Sequence, residues 1–384
     1  MNQNEQALLK AIQQSLWNTK ISFSEDTDWD AVVKEAEDQA ITGIVIHAAP
    51  VNVQEKWKSK TGFVTATFIQ ILHLQERLYR LLKENDITMV VLKGTAAAIY
   101  YPNPAQRLMG DIDYLVPQES FERTTELLKA NGYVIDEETE SSRHIRVYQD
   151  GILFEQHRLF SYEGVDVEQY ITEGLSHIST RTIFGSEFPM LPKLANGLVL
   201  LGHMVQHLKS GLGLRQVIDW MMYVDRELND DSWNQAFQHA AVQSGLEQAA
   251  IVTTRMCQIY LGLTEEIQWC KNADPKLCEE LMENLLSSGN FDRKRGKGAS
   301  VESVSSGIAR KGFFRYLQTT GESTWEAYHR HHWLKPFAWI YQMYRFAKKG
   351  VQAKRSRAQL MEDIKRGRSR KELLQKLKIG QPKE

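Results

Sequence analysis

Residues 91–117 read VLKGTAAAIYYPNPAQRLMGDIDYLVP: an apolar strand, a Lys93-Gly94-Thr95 turn, a helix-like spacer, then Asp111 and Asp113 within a second apolar strand. Side chains along a strand alternate faces, so two aspartates one residue apart converge on one small volume. Their mutual repulsion is relieved when divalent cations sit between them, and hard oxygen ligands select Mg²⁺ or Mn²⁺ over softer metals. An exposed edge strand can carry the same pair as a charged guard against edge pairing. The apolar continuation through Leu115 and Val116 and the strong upstream strand at 87–92 argue against that reading, so the segment is read as a metal-carboxylate strand.

Outward from this core, residues 5–85 have helical periodicity, with Leu8, Leu9, Ile12 and Leu16 on one face and Asp28 as an N-cap before Trp29. From Ile87 the texture changes. Strands are expected over 88–92, 111–116, 133–135, 144–148 and 152–155, with a helix over 119–130 stopped by Asn131-Gly132 and a hairpin at Asp150-Gly151. Helical periodicity returns from Leu194, over 198–208, 217–224 and 233–261. The Ser-, Gly- and Lys-rich stretch 287–312 reads as a loop or lid. Beyond it Trp333, Phe337, Ile340, Tyr341 and Tyr344 recur at helical spacing, a stripe whose ordinary place is a core, although the basic sequence after it leaves an interfacial helix open.

The expected fold is therefore α+β: a central mixed β-sheet domain over 86–193, flanked by a helical N-terminal region over 1–85 and helical C-terminal regions. Those regions are a cleft-closing domain over 194–286, the loop 287–312, and a basic segment over 313–384. A chain of 384 residues exceeds the usual single domain. Cys257, Cys270 and Cys278 lack CxxC spacing, which gives neither a zinc site nor a disulfide framework and suits a reducing compartment. With no signal-like N-terminus and no apolar run near about 18 residues, the expectation is a cytoplasmic protein, with peripheral membrane contact left open.

The near-neutral total conceals an asymmetry: from residue 301 onward there are 19 Lys/Arg against 7 Asp/Glu, and before it 28 against 41. A basic tail of this kind could meet nucleic acid, anionic lipid or the acidic body of its own chain.

Phosphoryl chemistry with two cations needs a third oxygen ligand or base beside the paired carboxylates. Glu155, at the end of the second hairpin strand, is the candidate, and His157 shares its face. Lys93, Gly94 and Thr95 follow a strand and precede a helix, so their amides and the lysine could cradle a triphosphate. Arg107 could neutralise phosphate charge. The pattern GxxxxGK[ST] is absent, which excludes a Walker-type loop. His203 and His207, at i and i+4, lack a HExxH glutamate and an evident third ligand, so core or acceptor-site roles outrank zinc. Lys209, Arg215 and Asp219 are grouped with them as candidate acceptor or nucleotide contacts, and His329, His331 and His332 as surface or packing residues.

Together these residues resemble the DNA polymerase β-like nucleotidyltransferase superfamily, where a Gly-Ser or related turn precedes Asp-x-Asp/Glu on a strand and a later acid lies on a neighbouring strand. More closely, LKGTAAAIYYPNPAQRLMGDIDYLV resembles the LKG…YP…R…DIDLLV segment of an uncharacterised bacterial nucleotidyltransferase family. The LGHMVQHL and LRQVIDW segments look similar to that family's His-containing helical half. The resemblance implies Asp111, Asp113 and Glu155 as metal-binding catalytic acids, Gly94-Thr95 at the triphosphate, an NTP substrate and an undefined acceptor. Thr95 replaces the commoner serine, the spacer from Gly94 to Asp111 is longer than in many relatives, and Glu155 stands where relatives often have Asp followed by x-His. The alternative it leaves is a degenerate domain that binds nucleotide as a scaffold, with the tail on nucleic acid or membrane.

Overall fold

The computed structural model describes residues 1–136, 144–161, 164–208, 211–290, 313–325, 327–328, 331–353 and 369–379. Lys209, His329, most of the loop expected at 287–312 and most of the basic stretch 354–371 lie outside the described residues.

Five helices lead into the sheet. Asn2 and Glu5 close a capping box on the helix Gln3–Trp17, each side chain accepting from the other's backbone N–H at 2.9 and 2.8 Å. Asp28 caps the helix Trp29–Asp38 by accepting from the Ala31 amide at 3.0 Å, as its sequence position predicts. The long helix Lys58–Glu84 then lays Phe68, Ile71, Leu72, Leu78 and Leu82 into the core.

Among the described residues the sheet has seven strands: β1 (Val90–Val91), β2 (Asp111–Leu115), β3 (Val134–Asp136), β4 (His144–Gln149), β5 (Ile152–His157), β6 (Ser179–Ile183) and β7 (Ser186–Met190). Their order is β3-β4-β5-β2-β1-β7-β6. The sheet is mixed: β2 runs parallel to β5 and β1 parallel to β7, while the other neighbours are antiparallel. The protein is thus an α+β molecule with a mixed sheet among many helices. Asp150 and Gly151 turn β4 into β5 with φ of +50° and +77°, the conformation a tight two-residue hairpin requires. The pairing strand of β1 is shorter than expected because Lys93 leaves extended geometry with φ +50°.

Sequence periodicity did not mark β6 and β7. Both are rich in Ser, Thr and charged residues, and Pro189 sits inside β7, a position that ordinarily counts against a strand. The signal that was present is Phe184-Gly185, whose φ values of +49° and +85° make the turn. The helix expected over 233–261 is interrupted by a π-helical turn at Trp233–Phe237, where Trp233 stacks on Trp269 with ring centroids 3.9 Å apart, and again at Gly245, φ +71°.

In the C-terminal region one expectation is corrected, the core placement of the aromatic stripe, and one of the alternatives for the basic segment has structural support. Of the stripe, Trp333, Phe337, Ile340 and Tyr344 are exposed and Tyr341 is half-buried, while the neighbouring Gln342 is buried. The end of the basic segment is no free tail: Leu373, Leu374, Leu377 and Ile379 enter the same core as the first helix, Arg370 is fully buried beside Ser288, and Lys376 pairs with Glu280 at 2.6 Å. That terminus meets the acidic body of its own chain. Among the described residues no helix is long and apolar enough to cross a membrane.

Candidate active site

Parallel register between β2 and β5 places Asp113 opposite Glu155. This is the juxtaposition expected from the sequence, and the hairpin produces it: β5 returns from Asp150-Gly151 and runs alongside β2 rather than against it. His157, two residues beyond Glu155, has the same face. Its Nε2 donates to Asp113 Oδ1 at 3.0 Å and lies 3.7 Å from Glu155 Oε2. One ligand atom from each of Asp113, Glu155 and His157 lies within 4.8 Å of the others. Asp111 lines the same cavity but falls outside that tight group, since it sits one strand step earlier, opposite Leu153.

The cavity has a volume of about 280 Å³. Its floor is Asp111, Asp113, Glu155 and His157, one wall is Lys93, Gly94 and Arg107, and the helices Lys193–Leu208 and Leu214–Glu227 contribute His203, Gln206, His207 and Arg215. Lys93 is the closest cation to the acids, with Nζ 2.6 Å from Asp113 Oδ1. Its backbone, at φ +50°, is in a region that a non-glycine residue seldom adopts. Asn196 fixes the short helix that follows Gly94 by donating to the Ala96 carbonyl and the Tyr100 hydroxyl, both at 3.1 Å.

The Thr95 side chain is fully buried and donates to Gln75 Oε1 at 2.8 Å, while Lys93 and Gly94 of the same turn line the cavity. Asp219 is likewise turned away. It accepts from both Arg107 nitrogens at 2.7 Å and from the Tyr101 hydroxyl at 2.7 Å, a buried bidentate pair that holds Arg107 in the cavity wall. Arg215 donates to the Leu108 carbonyl at 3.1 Å and so ties the helical half to the segment entering β2.

Four lining residues were not singled out from the sequence: His144, Arg146, Leu159 and Gln206. Two of them were accessible through strand alternation, because His144 and Arg146 alternate along β4 and pair across to His157 and Glu155. Arg146 Nε lies 3.7 Å and His144 Nε2 4.0 Å from Glu155 Oε1.

The acids are not electrostatically alike. Burial raises Asp111, and the adjacent Asp113 charge adds to that rise. Asp113 itself goes the other way: burial opposes its ionisation, yet Lys93 and the His157 hydrogen bond together hold it well below the usual carboxylate range. Glu155 is raised by burial and by Asp113. Burial and the cavity's cations keep the histidines neutral: His144 falls to about 4, His207 to about 3, and His203 well below its ordinary value. The last two meet with Nε2 atoms 2.8 Å apart, one donating to the other.

A carboxylate held well towards its ionised form, a second one in register and an imidazole form a donor set that fits a divalent cation. The surrounding Lys93, Arg107, Arg146 and Arg215 suit a polyanion.

A comparison with curated proteins finds no match. Among solved structures, an antigenic nucleotidyltransferase-like protein from Paracoccidioides brasiliensis is similar at 16% identity over 50% of this chain and 92% of that one, with a TM-score of 0.33. The family model described as uncharacterised nucleotidyltransferase matches residues 25–262, more than half of the sequence, and the chain belongs to that family.

Proposed function

We propose that this cleft transfers a nucleotidyl group from an NTP to an acceptor and releases pyrophosphate. The observation that carries the reading is the in-register pairing of Asp113 with Glu155, beside Asp111 and under a wall of Lys and Arg. Asp113, Glu155 and His157, with Asp111 alongside, would hold Mg²⁺ or Mn²⁺. Two such cations, when bound, would neutralise the triphosphate and lower the pKa of the attacking acceptor group.

The chain's own groups have separable tasks. Lys93 and Gly94 lie where triphosphate oxygens can be met by an ammonium and by close backbone approach. Arg146, from β4, and Arg215, from the helix Leu214–Glu227, both line the cavity and can orient the nucleotide and the acceptor. An acceptor oxygen attacks the α-phosphorus, the bond from that phosphorus to the bridging oxygen of the β-phosphate breaks, and pyrophosphate leaves with the bonding pair. The acceptor's proton leaves to water, its acidity raised by the cation that Glu155 would help to hold.

Parallel incubations with ATP labelled at the α- or the γ-phosphorus, Mg²⁺ and a cell extract test this. The α label is expected in a new product and the γ label in pyrophosphate. Transfer of the γ label alone would replace nucleotidyl transfer with kinase-like chemistry.

A further inference from the structure

The helix Ala338–Ala353 is inside out. Ala338 and Gln342, one turn apart, are buried at 0% and 4% exposure. They face the helix Phe313–Thr324, whose Gly321 admits the close approach: a Cβ there would collide with the Ala338 carbonyl. Trp339 and Tyr341 pack on Phe314 and Trp325, but five other large apolar residues lie on the exposed side. Trp333 is 71% exposed, Phe337 48%, Ile340 47%, Met343 45% and Tyr344 63%. Ile340, Met343 and Tyr344 share one face at helical spacing, with Phe337 and Trp333 extending it backwards through the 3-10 helix His332–Phe337. None of the hairpin's described residues joins the main core.

Charge identifies what such a face fits. From Trp333 to Arg357 the sequence contains Lys335, Arg345, Lys348, Lys349, Lys354, Arg355 and Arg357 and no Asp or Glu. Glu322, on the facing helix, lies 4.0 Å from Lys335. Even so, an apolar face carried by a stretch of sequence whose only charges are cations matches the boundary of an anionic bilayer, where rings settle at headgroup depth and cations meet lipid phosphates. Nucleic acid would satisfy the cations but offers no apolar phase for Ile340 and Met343. A second copy of the chain would cover the apolar face but bring two uniformly basic segments together. We infer that the apolar face of the hairpin formed by Phe313–Thr324 and Ala338–Ala353 docks the protein on an anionic lipid surface.

Flotation of the full chain with vesicles tests the inference. Binding is expected with phosphatidylglycerol in phosphatidylcholine, to be roughly tenfold weaker with phosphatidylcholine alone, and to fall with added salt. A Trp333→Ser, Ile340→Ser, Tyr344→Ser variant should lose roughly tenfold or more of that binding, with an unchanged circular dichroism spectrum. If the triple variant misfolds, Ile340→Asp alone carries the same expectation at a single exposed position. The inference is overturned if anionic vesicles do not bind, or if folded face variants bind as well as the parent, which would assign the effect to basic residues alone. It is also overturned if the face variants instead dissociate a dimer, or abolish binding to single-stranded RNA while vesicles are ignored.

Discussion

Lys93 holds an unusual backbone conformation and a buried ion pair at once, and both point it at Asp113. The pair of aspartates was legible because strand alternation alone makes residues 111 and 113 neighbours. What alternation could not give was which acid would be most strongly ionised. That depends on Lys93 and His157 arriving from other strands and loops. A turn sequence likewise does not say where the Thr95 hydroxyl goes, and Gln75, on the long helix, takes it. His157→Gln is expected to lower Mn²⁺ affinity and turnover by about 10- to 100-fold while leaving the melting temperature nearly unchanged, as measured by Mn²⁺ titration and thermal melts.

Acidification provides a second test at this scale. A histidine whose folded pKa is depressed is protonated first in the unfolded chain, so its contribution to stability is lost as pH falls through the unfolded value. For His207 that window runs from 6.5 down to about 3, and for His144 from 6.5 down to about 4. Asp111 and Glu155, with raised values, act in the opposite sense, but only near and above their ordinary values of 3.8 and 4.5. The melting temperature should therefore fall as pH drops from 6.5 towards 5, and a folded His207→Gln variant should show a shallower fall.

At the scale of elements, the site is held by contacts between the sheet segment and the helical half. The bidentate Arg107–Asp219 pair, with Tyr101 as a third partner, is a buried ion pair among these. Asp219→Leu should cost about 3–5 kcal/mol in denaturant unfolding, because Arg107 is left charged and buried without its counterion. Gly197→Ala is expected to lose about 1–3 kcal/mol despite alanine's better helix propensity, since the new methyl would collide with the Tyr223 ring. The hairpin of β4 and β5 was legible in Asp150-Gly151, whereas β6 and β7 were hidden by polar composition and an internal proline. The His203–His207 contact was legible in its i, i+4 spacing on one helix, whereas the bidentate pair had no local sequence signature, because Asp219 lies on a helix far from Arg107 in sequence and packs back against it.

Across the whole molecule, one core runs from Leu8 to Ile379 and joins both ends of the chain to the sheet. The basic C-terminal composition left nucleic acid, lipid and the chain's own acidic body open as partners, because composition does not record Leu373, Leu374 and Leu377 arranged to return the segment's end to the body. Leu374→Ala should accordingly destabilise the entire chain by about 2–5 kcal/mol in a single unfolding transition.

The central claim is that the acids on β2 and β5 form a cation-dependent nucleotidyl-transfer centre. Its most direct test is simultaneous measurement of pyrophosphate and orthophosphate released from ATP, with a cell extract as acceptor source, across a Mg²⁺ titration of the purified protein and its Asp113→Asn variant. The account predicts saturable, Mg²⁺-dependent pyrophosphate release above the extract background by the parent and none by the variant. Orthophosphate in place of pyrophosphate, or equal pyrophosphate release by the folded variant, would contradict it.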